Sequence, residues 1–198
     1  AGKVSIEQFL SQMSIEELAV LVNGYGPGLP FGGVGGKYPN TIDYEDGTPI
    51  AVSSHKSGNM GYVSPALPKY NIPSAFYKDG PAGVGMTAWP TGMTIACSFN
   101  LELMYQFGDA CGYEAESLDV DSWLAPGLNL HRNPICGRNF EYFSEDPRVA
   151  GYCGIAIMKG VQENHQVTTC PKHFALNEQE TYRRGSTTMN FDAVDTIV

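Results

Sequence analysis

The sequence has no run approaching the roughly 18 consecutive apolar residues of a membrane span, and its start, AGKVSIEQF, lacks the apolar core of a signal peptide. No membrane partner is expected. Basic residues are few: 12 Lys and Arg stand against 21 Asp and Glu, a net charge of -9. That balance opposes attraction to nucleic acid phosphates or to an anionic membrane surface, so a neutral partner is the simpler expectation. There is no Cys-x-x-Cys pair and no His-x3-His spacing, which argues against a metal site. The five cysteines (Cys97, Cys111, Cys136, Cys153, Cys170) are odd in number and scattered, mostly in apolar runs. They read as buried free thiols and favour a reducing, cytoplasmic compartment. The string GGVGGK fails as a phosphate-binding loop, because Phe31 and Tyr38 occupy positions that need Gly and Ser or Thr. It fails as a dinucleotide fingerprint as well, since Tyr38 takes the third Gly position after Gly33 and Gly35. No cofactor is called for.

What remains is enough for one globular domain: 198 residues, 42% apolar and 17% charged. Ser5 with Gln8 and Ser14 with Glu17 have capping-box spacing ahead of apolar-periodic runs, predicting two leading helices over residues 1–24. The second carries Leu18, Leu21 and Val22 on one side. Residues 25–70 are rich in Gly and Pro without apolar periodicity and read as a long loop. From Ile72 the pattern becomes strand (IPSAFYKD), helix from Asn100 to about Leu118, strand (118–125), helix (149–164), strand (QVTTCPKHF). In the first of these helices Leu101, Met104, Tyr105, Phe107, Gly108 and Cys111 mark the buried side. Such alternation over 71–198 predicts β/α units around a parallel sheet.

Three polar features follow the carboxyl ends of the predicted strands, where α/β barrels and open sheets place their sites. These are Asp79, the loop around Arg138, and Lys172-His173. Between them lies WLAPGLNLHRNPICGRNFEYFSED (123–146), crowded with charged and amide side chains. Asp79, Arg138, Lys172, His173 and Arg183 offer a carboxylate, fixed donors and an imidazole, a set suited to sugar hydroxyls, which both donate and accept. Salt bridges joining loops would account for isolated charges equally well: Asp79 with Lys78 or an Arg, Arg138 with Glu141 or Glu145, Lys172 with a nearby glutamate. His55 and His165 read as structural. No Ser/His/Asp order stands out, and no carboxylate pair takes acid and base roles from spacing alone. The residues by themselves lead to a polar site for a neutral ligand.

At GLNLHRNPICGRNFEYFSEDP, with KHFALNEQETYR and KDGPAGV, the chain resembles glycoside hydrolase family 3, specifically its β-glucosidase branch. The resemblance implies a (β/α)8 TIM-barrel-type domain, of which this chain looks like the first half, with the rest of the barrel and a second domain as partners. It implies an enzyme that removes a terminal β-linked glucose from a β-glucoside or cello-oligosaccharide with retention of configuration. Carried over position by position, Asp79 corresponds to the acceptor for glycone hydroxyls far from the scissile bond. Arg138, Lys172, His173 and Arg183 correspond to further glycone-binding positions. Aspartate at position 79 resembles the glucosidase pattern rather than the glutamate of xylosidases. Lys-His-Phe-Ala-Leu-Asn differs from the Lys-His-Phe-Pro-Gly-His-Gly of hexosaminidases. Retention needs two carboxyl groups about 5 to 5.5 Å apart. The family's nucleophile lies in a Ser-Asp-Trp-like motif on a later strand, and Val198 precedes that strand. Asp121-Ser122-Trp123 has the order scrambled, and the acid/base glutamate has no match. Alone, the chain is expected to be inactive. Met86 stands where relatives often have Arg. Glu141, Glu145 and Asp146 read as a scaffold for Arg138. The alternatives are a non-catalytic sugar-binding fragment or module, or a β-xylosidase of the same family.

Overall fold

A computed structural model describes residues 4–22, 46, 62–64 and 66–182. The chain divides into two compact units, Ala1–Lys78 and Asp79–Val198.

In the first unit, helix α1 (Ile6–Leu10) begins on Ser5, whose hydroxyl accepts from Gln8 N while Gln8 Oε1 accepts from Ser5 N, the reciprocal capping box that the spacing predicts. Helix α2 (Ile15–Val22) starts the same way on Ser14 and Glu17. Glu17 does more than cap. It is buried, and its carboxylate also accepts from Lys69 Nζ at 2.8 Å and from Tyr70 hydroxyl at 2.7 Å. Leu18 and Leu21 pack with Phe9, Tyr70 and Ile72 around Met13 and Leu67. Val22, the last residue of the helix, does not join them and is 83% exposed. Part of the stretch expected as a loop is regular: β1 (Tyr62–Ser64) pairs antiparallel with β2 (Ala75–Asp79), and Pro68–Tyr70 forms a 3-10 turn beside the wholly buried Leu67. GGVGGK and His55 lie outside the described residues.

The second unit begins with a short helix, α3 (Gly92–Ala96), capped by Thr91. Helix α4 (Leu101–Ser117) starts on Asn100, whose side chain accepts from Leu103 N. Met104 and Cys111 are fully buried, whereas Leu101, in the uncovered first turn, is half exposed. The helix leaves through a Schellman turn: Asp119 is left-handed at φ 55°, Val120 N donates to Ala115 O, and Asp119 N donates to Glu116 O. That exit consumes residues expected in the next strand, so β3 shrinks to Ser122–Leu124. Helix α5 (Pro147–Asn164) is capped by Asp146, with Pro147 at its first position, and leads to β4 (Thr168–Thr169).

β3 and β4 pair in parallel, Ser122 with Thr168 and Trp123 with Thr169, and a further parallel bridge joins Gly127 to Lys172. Pro126 and Pro171 have no N–H to give, which keeps the ladder short. The β3–α5–β4 crossover is the α/β unit that the alternation predicts. α5 lies directly on α4 because both carry glycine at the crossing: a Cβ on Gly160 would stand 2.1 Å from Tyr105 O, and one on Gly108 2.2 Å from Ile157 O. All five cysteines are free; Cys111, Cys136 and Cys153 are buried, while Cys97 and Cys170 are exposed, contrary to a uniform buried reading. Cys97 caps the end of α3, where its side chain leaves the core. No described helix is long and apolar enough to cross a membrane.

Candidate active site

Asp79 ends β2, and the loop after it can turn only through glycine. Gly80 has φ +124°, and a Cβ there would stand 2.6 Å from Gly83 O. Gly80 N donates to Asp79 Oδ1 at 2.8 Å, which orients the carboxylate. Two indoles hold the loop from behind: Trp123 Nε1 donates to Gly80 O at 2.9 Å, and Trp89 Nε1 reaches the buried Glu114 at 3.4 Å.

The second wall comes from the long loop after β3. Its 3-10 turn, Asn139–Glu141, places Arg138 at the entry and buries Glu141. Arg138 Nε donates to Glu141 Oε1, and Nη1 lies 3.8 Å from Glu180 Oε1. Burial works against the charge of Arg138, but the hydrogen bond and the negative charge of Glu141 outweigh it, so the guanidinium pKa stands above its ordinary value.

The third wall follows β4. Lys172 Nζ lies 2.5 Å from Asp79 Oδ1 and 3.8 Å from Glu141 Oε2. The Lys172-His173 peptide is cis. Asn129, buried after β3, grips His173 twice: His173 N donates to Asn129 Oδ1 at 2.8 Å, and Asn129 Nδ2 donates to His173 O at 3.1 Å. Arg138 Nη2 meets His173 Nε2 at 2.9 Å. A guanidinium only donates, so Nε2 accepts and the ring proton belongs on Nδ1. There it faces Asn129 Oδ1 at 3.1 Å and Tyr142 hydroxyl at 3.2 Å. Tyr142 is itself anchored, donating to Asn177 O and accepting from Asn177 Nδ2. Burial pushes its phenol up to about 12.

The structure therefore brings four of the five expected site residues together, and Arg183 lies outside the described residues. A cavity of about 350 Å³ opens among Asp79, the Gly80–Gly83 turn, Arg138, Phe140 and Glu141. The salt bridges expected from sequence are also present: Arg138 pairs with Glu141, and Lys172 lies near the same glutamate, while Asp79 pairs with Lys172. Of the three acids read as a scaffold for Arg138, only Glu141 contacts it. Asp146 accepts instead from Arg148 N and Val149 N as the cap of α5, and the exposed Glu145 borders a separate cavity with His131 and Phe143. Asn129, Tyr142, Asn177 and Glu180 were not singled out as site residues by sequence reasoning. Asn129 stood in the polar loop, but its partner is 44 residues away, and no local spacing signals such a pair.

Among the described residues, no group of three or more His, Cys, Asp or Glu side chains is placed to hold a metal ion. Residues 60–189 match the model of the glycosyl hydrolase family 3 N terminal domain. The chain belongs to this family. It is similar to β-glucosidase A of Butyrivibrio fibrisolvens, 40% identical over 192 residues that make up 93% of this chain and 20% of that protein. It is also similar to thermostable β-glucosidase B of Acetivibrio thermocellus, 33% identical over 98% of this chain and 22% of the relative. Among solved structures it resembles β-glucosidase 3B from Thermotoga neapolitana in complex with glucose, with a TM-score of 0.69 and 36% identity over 88% of this chain and 24% of that one. The chain thus spans about a fifth of the length of the curated relatives it matches. Its β/α units are part of the family 3 TIM-barrel-type domain.

Proposed function

We propose that this chain supplies the glycone-binding wall of a retaining β-glucosidase acting on terminal β-D-glucosyl residues. One observation carries the reading: Asp79, Arg138 and Glu141 line one cavity, and Lys172 joins the two carboxylates, so cations and carboxylates alternate along one run of contacts, Asp79, Lys172, Glu141 and Arg138. The charges of these four cancel, an arrangement that favours a neutral ligand, and Asp79, Lys172 and Arg138 each add strength to a hydroxyl hydrogen bond. Asp79, with a half-exposed side chain, accepts from sugar hydroxyls; Lys172 and Arg138 donate to them; His173 braces Arg138. Asp79 and Glu141 are each already paired with a cation, an arrangement that does not suit delivering a proton to a leaving group. The chemistry of bond cleavage therefore calls for carboxylates other than these. Support also comes from the relatives and solved structures, which are β-glucosidases.

Calorimetric titration of the purified chain with glucose tests the reading. Binding that is reduced at least about ten-fold by Asp79→Ala, with xylose binding more weakly than glucose, is the expected result. No heat with glucose, or hydrolysis of an aryl β-glucoside by the chain alone at a rate above buffer, contradicts it.

A further inference from the structure

Glu141 is the most buried ion of the site, and its seat is built by its neighbours. Its side chain is 3% exposed, against 22% for Arg138, 13% for Lys172 and 51% for Asp79. Its backbone carbonyl sits in a notch that only glycine leaves open: a Cβ on Gly127 would stand 2.7 Å away, and one on Gly92 3.1 Å away. Glu141 N donates to Arg138 O at 3.1 Å, closing the 3-10 turn under it. A carboxylate fixed in this way spends its two oxygens on two different elements: Oε1 on Arg138 of its own loop, Oε2 towards Lys172 after β4. Arginine and lysine are long side chains that lose rotamer freedom on binding a ligand, unless something has already ordered them.

The geometry points to Glu141 as the positioning residue that sets Arg138 and Lys172 in register for the sugar, acting through both cations without touching the ligand. This rests on the sugar-binding reading above. Two consequences separate the role from a merely structural one. Removing its charge makes the site one unit more positive, with Asp79 and Glu180 left against Arg138 and Lys172, so the site should turn towards anionic sugars. Keeping the charge but shortening its reach by about 1.5 Å, one carbon–carbon bond, should weaken glucose binding without that turn.

The test uses Glu141→Gln and Glu141→Asp with two readouts: titration with glucose and with glucuronate, and the exchange of the Arg138 Nε–H proton followed by NMR without ligand. In Glu141→Gln, glucose affinity should fall at least about ten-fold, the ratio of glucuronate to glucose affinity should rise, and the slowly exchanging Nε–H signal of the wild type should be lost to solvent. Glu141→Asp should bind glucose at an intermediate level with the ratio unchanged. An Nε–H signal that persists in Glu141→Gln together with wild-type glucose affinity overturns the proposal. So does an equal loss of both sugars with the signal intact. If the wild type takes up no glucose, the sugar-binding reading fails and the Nε–H signal alone decides the role of Glu141. If Glu141→Gln does not fold, wild-type affinity and an unchanged signal in Glu141→Asp overturn it.

Discussion

His165 shows what one side chain contributes when two acids converge on it. At the end of α5 it meets Asp109 at 3.0 Å through Nε2 and Glu116 at 3.2 Å through Nδ1, both on α4, and its ring packs near Tyr113. Burial lowers its pKa, but the hydrogen bonds and charges of Glu116 and Asp109 outweigh that and raise it above the ordinary 6.5. A pKa raised by folding means that the protonated ring stabilises the folded state. That contribution is complete below about pH 6.5 and is lost as pH rises through the folded-state value. His165→Gln should therefore differ most from wild type in urea unfolding at mildly acidic pH, and the gap should narrow towards alkaline pH. A gap independent of pH would contradict this. Read from sequence, His165 was structural, and its partners were invisible: Glu116 is 49 residues away.

At the scale of elements, the contact between α4 and α5 depends on glycine. With a Cβ on Gly160 only 2.1 Å from Tyr105 O, the helices must separate for any side chain to fit. Gly160→Ala should destabilise the protein by about 1–3 kcal/mol in urea unfolding, although alanine is the better helix former. A stabilised variant would show that the contact yields. The sequence was most legible for such elements. Asn100 ahead of an apolar period is a local signal, and α4 begins there; α5 begins at Pro147, two residues before the expected Val149, because Asp146 serves as its cap. The strands were less legible, because their limits are set by partners. β3 loses residues 118–121 to the exit turn of α4, and β4 keeps only two of its expected residues before Pro171. Helix α3 was missed because five residues contain too little periodicity to register.

For the molecule as a whole, net charge and site charge diverge. The chain carries -9, yet Asp79, Lys172, Glu141 and Arg138 sum to zero, and Glu180 at 3.8 Å from Arg138 adds a single negative charge beside them. Glucose affinity should therefore change less than about two-fold between about 0.05 and 0.5 M salt, because screening acts on net charges facing each other. A steep salt dependence would show that a charge in the cluster is missing or displaced. Asp79, Arg138, Lys172 and His173 were legible as one site because α/β connectivity delivers strand ends to one edge. The links that order them were not, since Asn129 with His173 and Tyr142 with Asn177 join positions 44 and 35 residues apart.

The grip of Asn129 on His173 continues the sheet by other means. The ladder runs from Trp123–Thr169 to Gly127–Lys172, and the next rung is made by a side-chain amide, which carries the same donor and acceptor pair as a peptide group. A carboxylate of the same shape keeps the acceptor and lacks the donor. Thus a single change of nitrogen to oxygen at Asn129 would leave His173 O without its rung and free the segment that carries Lys172 to shift along the strand.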